Sequence, residues 1–339
     1  MSILAWCFNS KSGRSPFESH NGLLGLLPRL RSLTLMPPPF DFQLPTSSPF
    51  LETLELNFVH DCDTRGQSMG NGHPLQILER VLWSTSLRKL VLSGQRFAAD
   101  KSELFPPSRY RTSAITELEL WDWSQTTLGC LPSILSCIKA LQRFTLEIDM
   151  PWEVSDGKEK GVDPARLGRA VGIHASTLVT LEIAASDAAE FSGPSLFGSL
   201  SHYKNLRRLA ILDELLLFVG DETTNLIDLL PPGLEEFQIQ FSMLRKQDDV
   251  DRKLRISRLK QLSLAKETRF PALRRVIWWY QTCECWYDQG RDRFGPASDM
   301  EELKVAFQEV GVEFDHNVAI GLSETPFGRE NGGWDEDDE

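Results

Sequence analysis

Six cysteines and six histidines are the soft ligands and nucleophiles this chain offers. Cys283-Glu284-Cys285 sets two thiols one residue apart. Structural zinc sites space their thiolates by about two to four residues and add a second pair, and none follows here. His60-Asp61-Cys62-Asp63, with His73 beyond it, holds metal-competent atoms but sits in a loop that imposes no geometry on them. Cys130 and Cys137 fall seven apart on one helical segment and are expected to face the core. Gly157-Lys158-Glu159-Lys160-Gly161 lacks the spacing and the following Ser or Thr of a phosphate-binding loop. His-Glu-x-x-His and Gly-x-Gly-x-x-Gly do not occur. The expectation is a chain without catalytic residues, cofactor or metal, that is, not an enzyme.

The remaining chemistry is recognition. Glu55, Asn57, Glu119, Trp121, Glu147, Glu182, Gln238 and Trp279 all fall at alternate positions between regularly spaced leucines. Carboxylates attract a basic segment, and tryptophan gives the large rigid contact enriched where binding energy concentrates. These eight are the candidate partner-binding residues, and they need a scaffold that turns them to one side.

The scaffold is a short unit with aliphatic or aromatic residues at positions 1, 4 and 6. It reads Leu30-Leu33-Leu35, Leu51-Leu54-Leu56, Leu87-Leu90-Leu92, Ile115-Leu118-Leu120, Leu141-Phe144-Leu146, Leu178-Leu181-Ile183, Leu206-Leu209-Ile211, Leu234-Phe237-Ile239 and Leu273-Val276-Trp278. First positions are separated by 21, 36, 28, 26, 37, 28, 28 and 39 residues, which gives a period near 28 with insertions. Positions 4 and 6 of a strand share one face, so the core takes them, and positions 5 and 7 turn the other way.

Between units the apolar period becomes helical, over Pro74–Trp83, Leu128–Ile138, Pro164–Val171, Pro194–Tyr203 and Glu222–Leu230. Proline in the first turn and Pro231-Pro232-Gly233 after the last are start and stop signals. Leu259, Leu262 and Leu264 imitate the strand spacing but lie only 14 residues before Leu273, so a helix over Lys253–Lys266 is expected instead. Met300–Val310 reads as a helix and Val312–Phe314 as a last strand, together a C-terminal cap. Leu4 and Trp6 precede Leu33 and Leu35 by 29 residues, so Ser2–Phe8 reads as the strand of an incomplete repeat.

The repeated Leu-x-x-Leu-x-Leu units with helices between them resemble the leucine-rich repeat superfamily, in its irregular ribonuclease-inhibitor-like form. The uneven period, the proline-led turns Phe270-Pro271-Ala272-Leu273 and Leu230-Pro231-Pro232-Gly233-Leu234, and the closing Phe307-Gln308-Glu309-Val310-Gly311-Val312 resemble the repeat regions of fungal F-box proteins. The resemblance implies an α/β leucine-rich repeat solenoid, a horseshoe with a curved parallel sheet on the concave face and helices on the convex face. Residues 1–21 would be the remnant of an incomplete repeat, 22–320 the repeat domain with its cap near 300–320, and 321–339 an acidic disordered tail. It also implies a protein-interaction module, such as the substrate-recognition subunit of a ubiquitin ligase, although no F-box helix pair is visible before Gly22. The alternative is a structural scaffold or truncated gene product without a specific ligand.

Charge and composition narrow the partner. A net charge of −12 over 339 residues repels nucleic acid and anionic membrane, leaving a protein partner, basic or amphipathic, as the expectation. Scattered cysteines, no Asn-x-Ser/Thr sequon and no signal-like N-terminus point to an intracellular location, cytoplasmic or nuclear.

Overall fold

The computed structural model describes residues 3–7, 30–36, 50–58, 73–94, 104–123, 128–148, 162–185, 196–217, 224–241, 249–282 and 297–320. The expected tail at 321–339, Cys283-Glu284-Cys285 and most of segments 60–73, 150–163 and 242–252 lie outside them. The chain divides into two compact units, residues 1–198 and 199–339.

Among its described residues the first unit carries seven strands: β1 (Ile3–Cys7), β2 (Ser32–Met36), β3 (Thr53–Asn57), β4 (Lys89–Ser93), β5 (Glu117–Trp123), β6 (Arg143–Ile148) and β7 (Thr180–Ala185). Each pairs in parallel with the next. Parallel neighbours need crossovers, and helices α1 (His73–Leu82), α2 (Leu131–Cys137) and α3 (Pro164–Gly172) lie within three of them.

The register follows the repeat. Leu4, Leu33, Leu54, Leu90, Leu118, Phe144 and Leu181 stand opposite one another in turn, as do Trp6, Leu35, Leu56, Leu92, Leu120, Leu146 and Ile183. The alignment of Leu4 with Leu33 confirms the strand expected at Ser2–Phe8. From Leu33 onward both rows are buried. A one-residue slip would move a whole row to the other face, so burial locks the register. Backbone bonds continue the order below each strand. The Arg31 carbonyl accepts from the Glu52 and Thr53 amides (both 2.9 Å), Glu52 from Arg88 (2.8 Å) and Lys89 (2.9 Å), and Gln142 from Val179 (2.7 Å) and Thr180 (3.0 Å). Each second-position carbonyl thus uses both lone pairs on the following repeat.

The helices bury one stripe each. Ile77, Leu78, Val81 and Leu82 of α1 and Leu131, Ile134, Leu135 and Cys137 of α2 are buried. Asp163 caps α3 by accepting from the Ala165 amide at 3.0 Å, ahead of Pro164 in the first turn.

Among its described residues the second unit has four parallel strands, β8 (Arg208–Leu212), β9 (Glu236–Phe241), β10 (Arg275–Thr282) and β11 (Glu313–Ile320). Its helices are α4 (Asp213–Leu216), α5 (Leu226–Leu229), α6 (Asp249–Leu264), α7 (Lys266–Arg269) and α8 (Ala297–Glu309). The helix expected over Lys253–Lys266 is real. Leu259 and Leu262 are buried on α6, whereas Leu264 is 81% exposed, so the strand-like leucine triplet is coincidence. The closing helix and strand are present as α8 and β11, with the Phe307 and Phe314 rings stacked at 5.4 Å.

Two expected helices need correction. Phe197–Tyr203 is not helical: Gly198 takes φ +106°, outside any right-handed helix, and the Leu200 amide donates to the Leu229 carbonyl at 2.8 Å instead. The helix expected over Glu222–Leu230 is only α5, because Asn225 is extended and its side chain caps the Ile227 amide at 3.1 Å. Among the described residues no helix is long and apolar enough to cross a membrane.

Candidate functional site

The face of the first sheet opposite the leucines is built from positions 3, 5 and 7 of each unit. Position 5 forms one register row across six strands, Thr34, Glu55, Val91, Glu119, Thr145 and Glu182. Glutamate therefore recurs on every second strand, β3, β5 and β7. Its neighbours hold each carboxylate. Thr34 Oγ1 donates to Glu55 Oε2 at 3.2 Å and Thr145 Oγ1 donates to Glu182 Oε2 at 3.2 Å. Lys89 Nζ lies 2.5 Å from Glu119 Oε1, with the Glu119 side chain 15% exposed. Hydroxyls and one ammonium hold the carboxylates, and as residues Glu55, Glu119 and Glu182 all stay part-exposed, although the Glu55 Oε1 atom itself is buried.

Position 7 gives a second row, Asn57 beside Ser93 beside Trp121. Asn57 and Trp121 are half-buried, and Glu147 of β6, also half-buried, stands opposite Ala184. Between β5 and β6 the register shifts: Leu120 faces Leu146, but Trp123 faces Ile148, so Trp121 and Asp122 together oppose Glu147. This is a β-bulge, with Asp122 at φ +58° in the left-handed region that aspartate tolerates better than most residues. The extra residue returns Trp123 to the core, where it is fully buried, and keeps Trp121 on the glutamate side. Sequence reading placed Trp121 correctly but missed the bulge. The available signal was a large apolar residue three rather than two positions after Leu120.

The structure thus brings Glu55, Asn57, Glu119, Trp121, Glu147 and Glu182 onto one face of the first unit. Gln238 and Trp279 belong to the second unit and are not surface there. On β8–β10 positions 5 and 7 are dry: Ala210, Leu212, Gln238, Gln240, Ile277 and Trp279 are each at most 9% exposed. Trp279 at 2% and Gln238 at 8% are closed to a partner as they stand, which corrects their selection as contact residues. Both sides of these strands are buried, so alternation no longer distinguishes core from surface. The Gln238 Nε2 group has no hydrogen-bond partner.

The two units also balance charge differently. In the second, Arg208 lies 3.9 Å from Glu236, and Arg275 lies 3.8 Å from Glu313 and 2.5 Å from Asp315. The charged residues at the described face positions of β2–β7 are Glu55, Glu117, Glu119, Glu147, Glu182, Lys89 and Arg143, a formal charge of −3.

Nucleophiles elsewhere are set for structure. Burial pushes the Cys130 thiol up to about 11 against a lowering by Arg166, and pushes Cys137 up to about 11. Both are fully buried free thiols, and a protonated thiol is neither a good nucleophile nor a metal ligand. His174 is buried, with Nε2 2.9 Å from the Leu135 carbonyl, which fixes Nε2 as the donor. Among the described residues no group of three His, Cys, Asp or Glu could hold a metal ion. No family model, curated protein or solved structure matches the chain.

Proposed function

We propose that this chain is a non-catalytic protein-interaction module of the leucine-rich repeat type, a horseshoe whose working surface is the inter-leucine face of β2–β7. One observation carries the reading: Glu55, Asn57, Glu119, Trp121, Glu147 and Glu182, on four of the five successive strands β3–β7, stand part-exposed on one face. Fixed carboxylates beside a half-buried indole suit a protein partner of opposite charge. Stacking of like repeats supplies a rigid platform, since each register row is locked by the burial of its neighbours. The narrower reading, substrate recognition for a ubiquitin ligase as in F-box proteins, rests on the resemblance of the turns and closing segment.

The test is affinity capture from cells with the native chain and with a variant carrying Glu55→Lys, Glu119→Lys, Glu147→Lys and Glu182→Lys. Loss of specific interactors from the folded variant supports the reading. An unchanged interactor set refutes it and favours the alternative, a scaffold without a ligand on this face. Co-capture of an F-box adaptor by the native chain would support the ubiquitin-ligase role.

A further inference from the structure

The last strand of the second unit offers a backbone edge rather than a side-chain site. Among the described residues β11 pairs with β10 alone, in parallel and in unbroken register from Arg275 opposite Glu313 to Thr282 opposite Ile320. The Glu313 amide donates to the Arg274 carbonyl at 2.8 Å, so Glu313 turns its peptide groups toward β10. Peptide groups alternate sides along a strand. Asp315, Asn317 and Ala319 therefore follow Glu313, while Phe314, His316, Val318 and Ile320 turn theirs to the open edge. Eight residues at about 3.3 Å each make that edge about 26 Å long. Natural edges are blunted by proline, lysine, a bulge or a short strand, and Glu313–Ile320 has none of these.

The side chains of β11 narrow how that edge is used. In the second unit the position-6 row runs Ile211, Ile239, Trp278 and His316. The first three are buried, and His316 is exposed. The apolar row stops there, so a further repeat has no core to stack on, and whatever joins β11 must join through its backbone. On the opposite side of the strand Arg275 lies 3.8 Å from Glu313 and 2.5 Å from Asp315. Arg274 and Arg275 match these two carboxylates in number, so the edge is locally balanced although the whole chain carries −12. Two such edges can approach without the repulsion that the net charge alone predicts.

We propose that β11 pairs with β11 of a second copy of this chain, antiparallel about a two-fold axis. Hydrogen-bonded partners across such a pair must both be edge-facing residues. Of the registers this allows, one uses all four in each copy, with Phe314 opposite Ile320 and His316 opposite Val318. It forms about eight inter-chain hydrogen bonds and sets Asn317 opposite its own counterpart at the axis. It also places Asp315 opposite Ala319, so the two copies bring no pair of carboxylates face to face. That self-complementarity selects a second copy as the occupant. The contact is independent of what the β2–β7 face binds. The dimer carries two copies of that face and is bivalent for any partner it takes.

The experiment is sedimentation velocity of the full chain over a wide range of concentration, with proline placed on either side of β11. His316→Pro removes an edge-facing N–H, which a sheet edge tolerates, and leaves the ladder to β10 intact. The native chain is expected to reach twice the monomer mass. His316→Pro should weaken the dimer about tenfold or more, because the two-fold removes two hydrogen bonds at once, with its melting temperature unchanged. Val318→Pro, on the same side, should do likewise and serves as the second variant should His316→Pro melt lower. Asn317→Pro removes an N–H that faces β10 and should lower the melting temperature. A native monomer at every concentration overturns the proposal, as does a dimer that both edge-facing prolines leave intact. Equal melting of His316→Pro, Val318→Pro and Asn317→Pro overturns the assignment of the open side.

Discussion

Arg255 Nη2 lies 2.7 Å from Asp213 Oδ2, and the two side chains are 9% and 3% exposed. The pair ties the first residue of α4, just after β8, to α6, and Arg258 is buried one turn further along that helix. A buried pair is dangerous to break because one charge stays behind without water. Asp213→Ala is expected to cost about 3–5 kcal/mol. Asp213→Ala with Arg255→Met should cost less than the sum of the two single changes, which a urea-unfolding double-mutant cycle measures.

The bulge at Asp122 makes a second prediction. A β-branched residue at φ +58° meets a steric penalty of about 1–2 kcal/mol that glycine escapes. Asp122→Val is therefore expected to destabilise by about that amount, and Asp122→Gly to be near neutral. A loss of similar size for both, in thermal or urea unfolding, would mean that the Asp122 carboxylate rather than the backbone is what matters.

Gly168 reverses a general rule. Glycine to alanine inside a helix ordinarily stabilises by about 1 kcal/mol. Here a Cβ on Gly168 of α3 would come within 1.8 Å of the Phe197 carbonyl oxygen, a backbone atom that cannot rotate away. Gly168→Ala should instead destabilise by about 1–3 kcal/mol, as overpacking does. A rise in melting temperature would contradict the close approach.

His174 predicts a pH dependence. Burial lowers its pKa from the usual 6.5, a shift reinforced by Arg111 and opposed by the bond to the Leu135 carbonyl. The unfolded chain then takes up the proton first. This contribution to stability is complete above about pH 6.5 and is lost as the pH falls through that value toward the lower folded one. The urea midpoint should decline between pH 7 and 5. In His174→Gln, which retains a donor for Leu135, the decline should flatten; an unchanged slope would assign it to other groups.

The repeat was legible because its signal is local and redundant. The Leu33 and Leu35 rows, the β1 strand and the caps at Pro164 and Pro231 follow from side-chain period, proline geometry and spacing. Helix ends were less legible, since Gly198 and Asn225 decide them through one backbone angle and one side-chain bond. The eight candidate binding residues divided by unit. Alternation correctly gathered Glu55, Asn57, Glu119, Trp121, Glu147 and Glu182, but it assumed that an inter-leucine position is open. That assumption failed at Gln238 and Trp279, where both sides of the strands are buried.

By itself, the sequence determined which face of each strand turns to the core, because a one-residue slip would expose a row of leucines to water. It also determined the sign of the face, because the glutamates recur in the repeat. Only the tertiary structure decided which inter-leucine residues remain in contact with solvent, that Asp122 bulges to send Trp123 inward, and that Asp213 meets Arg255. Those outcomes depend on which chain segments meet across tens of residues, and no local period encodes that.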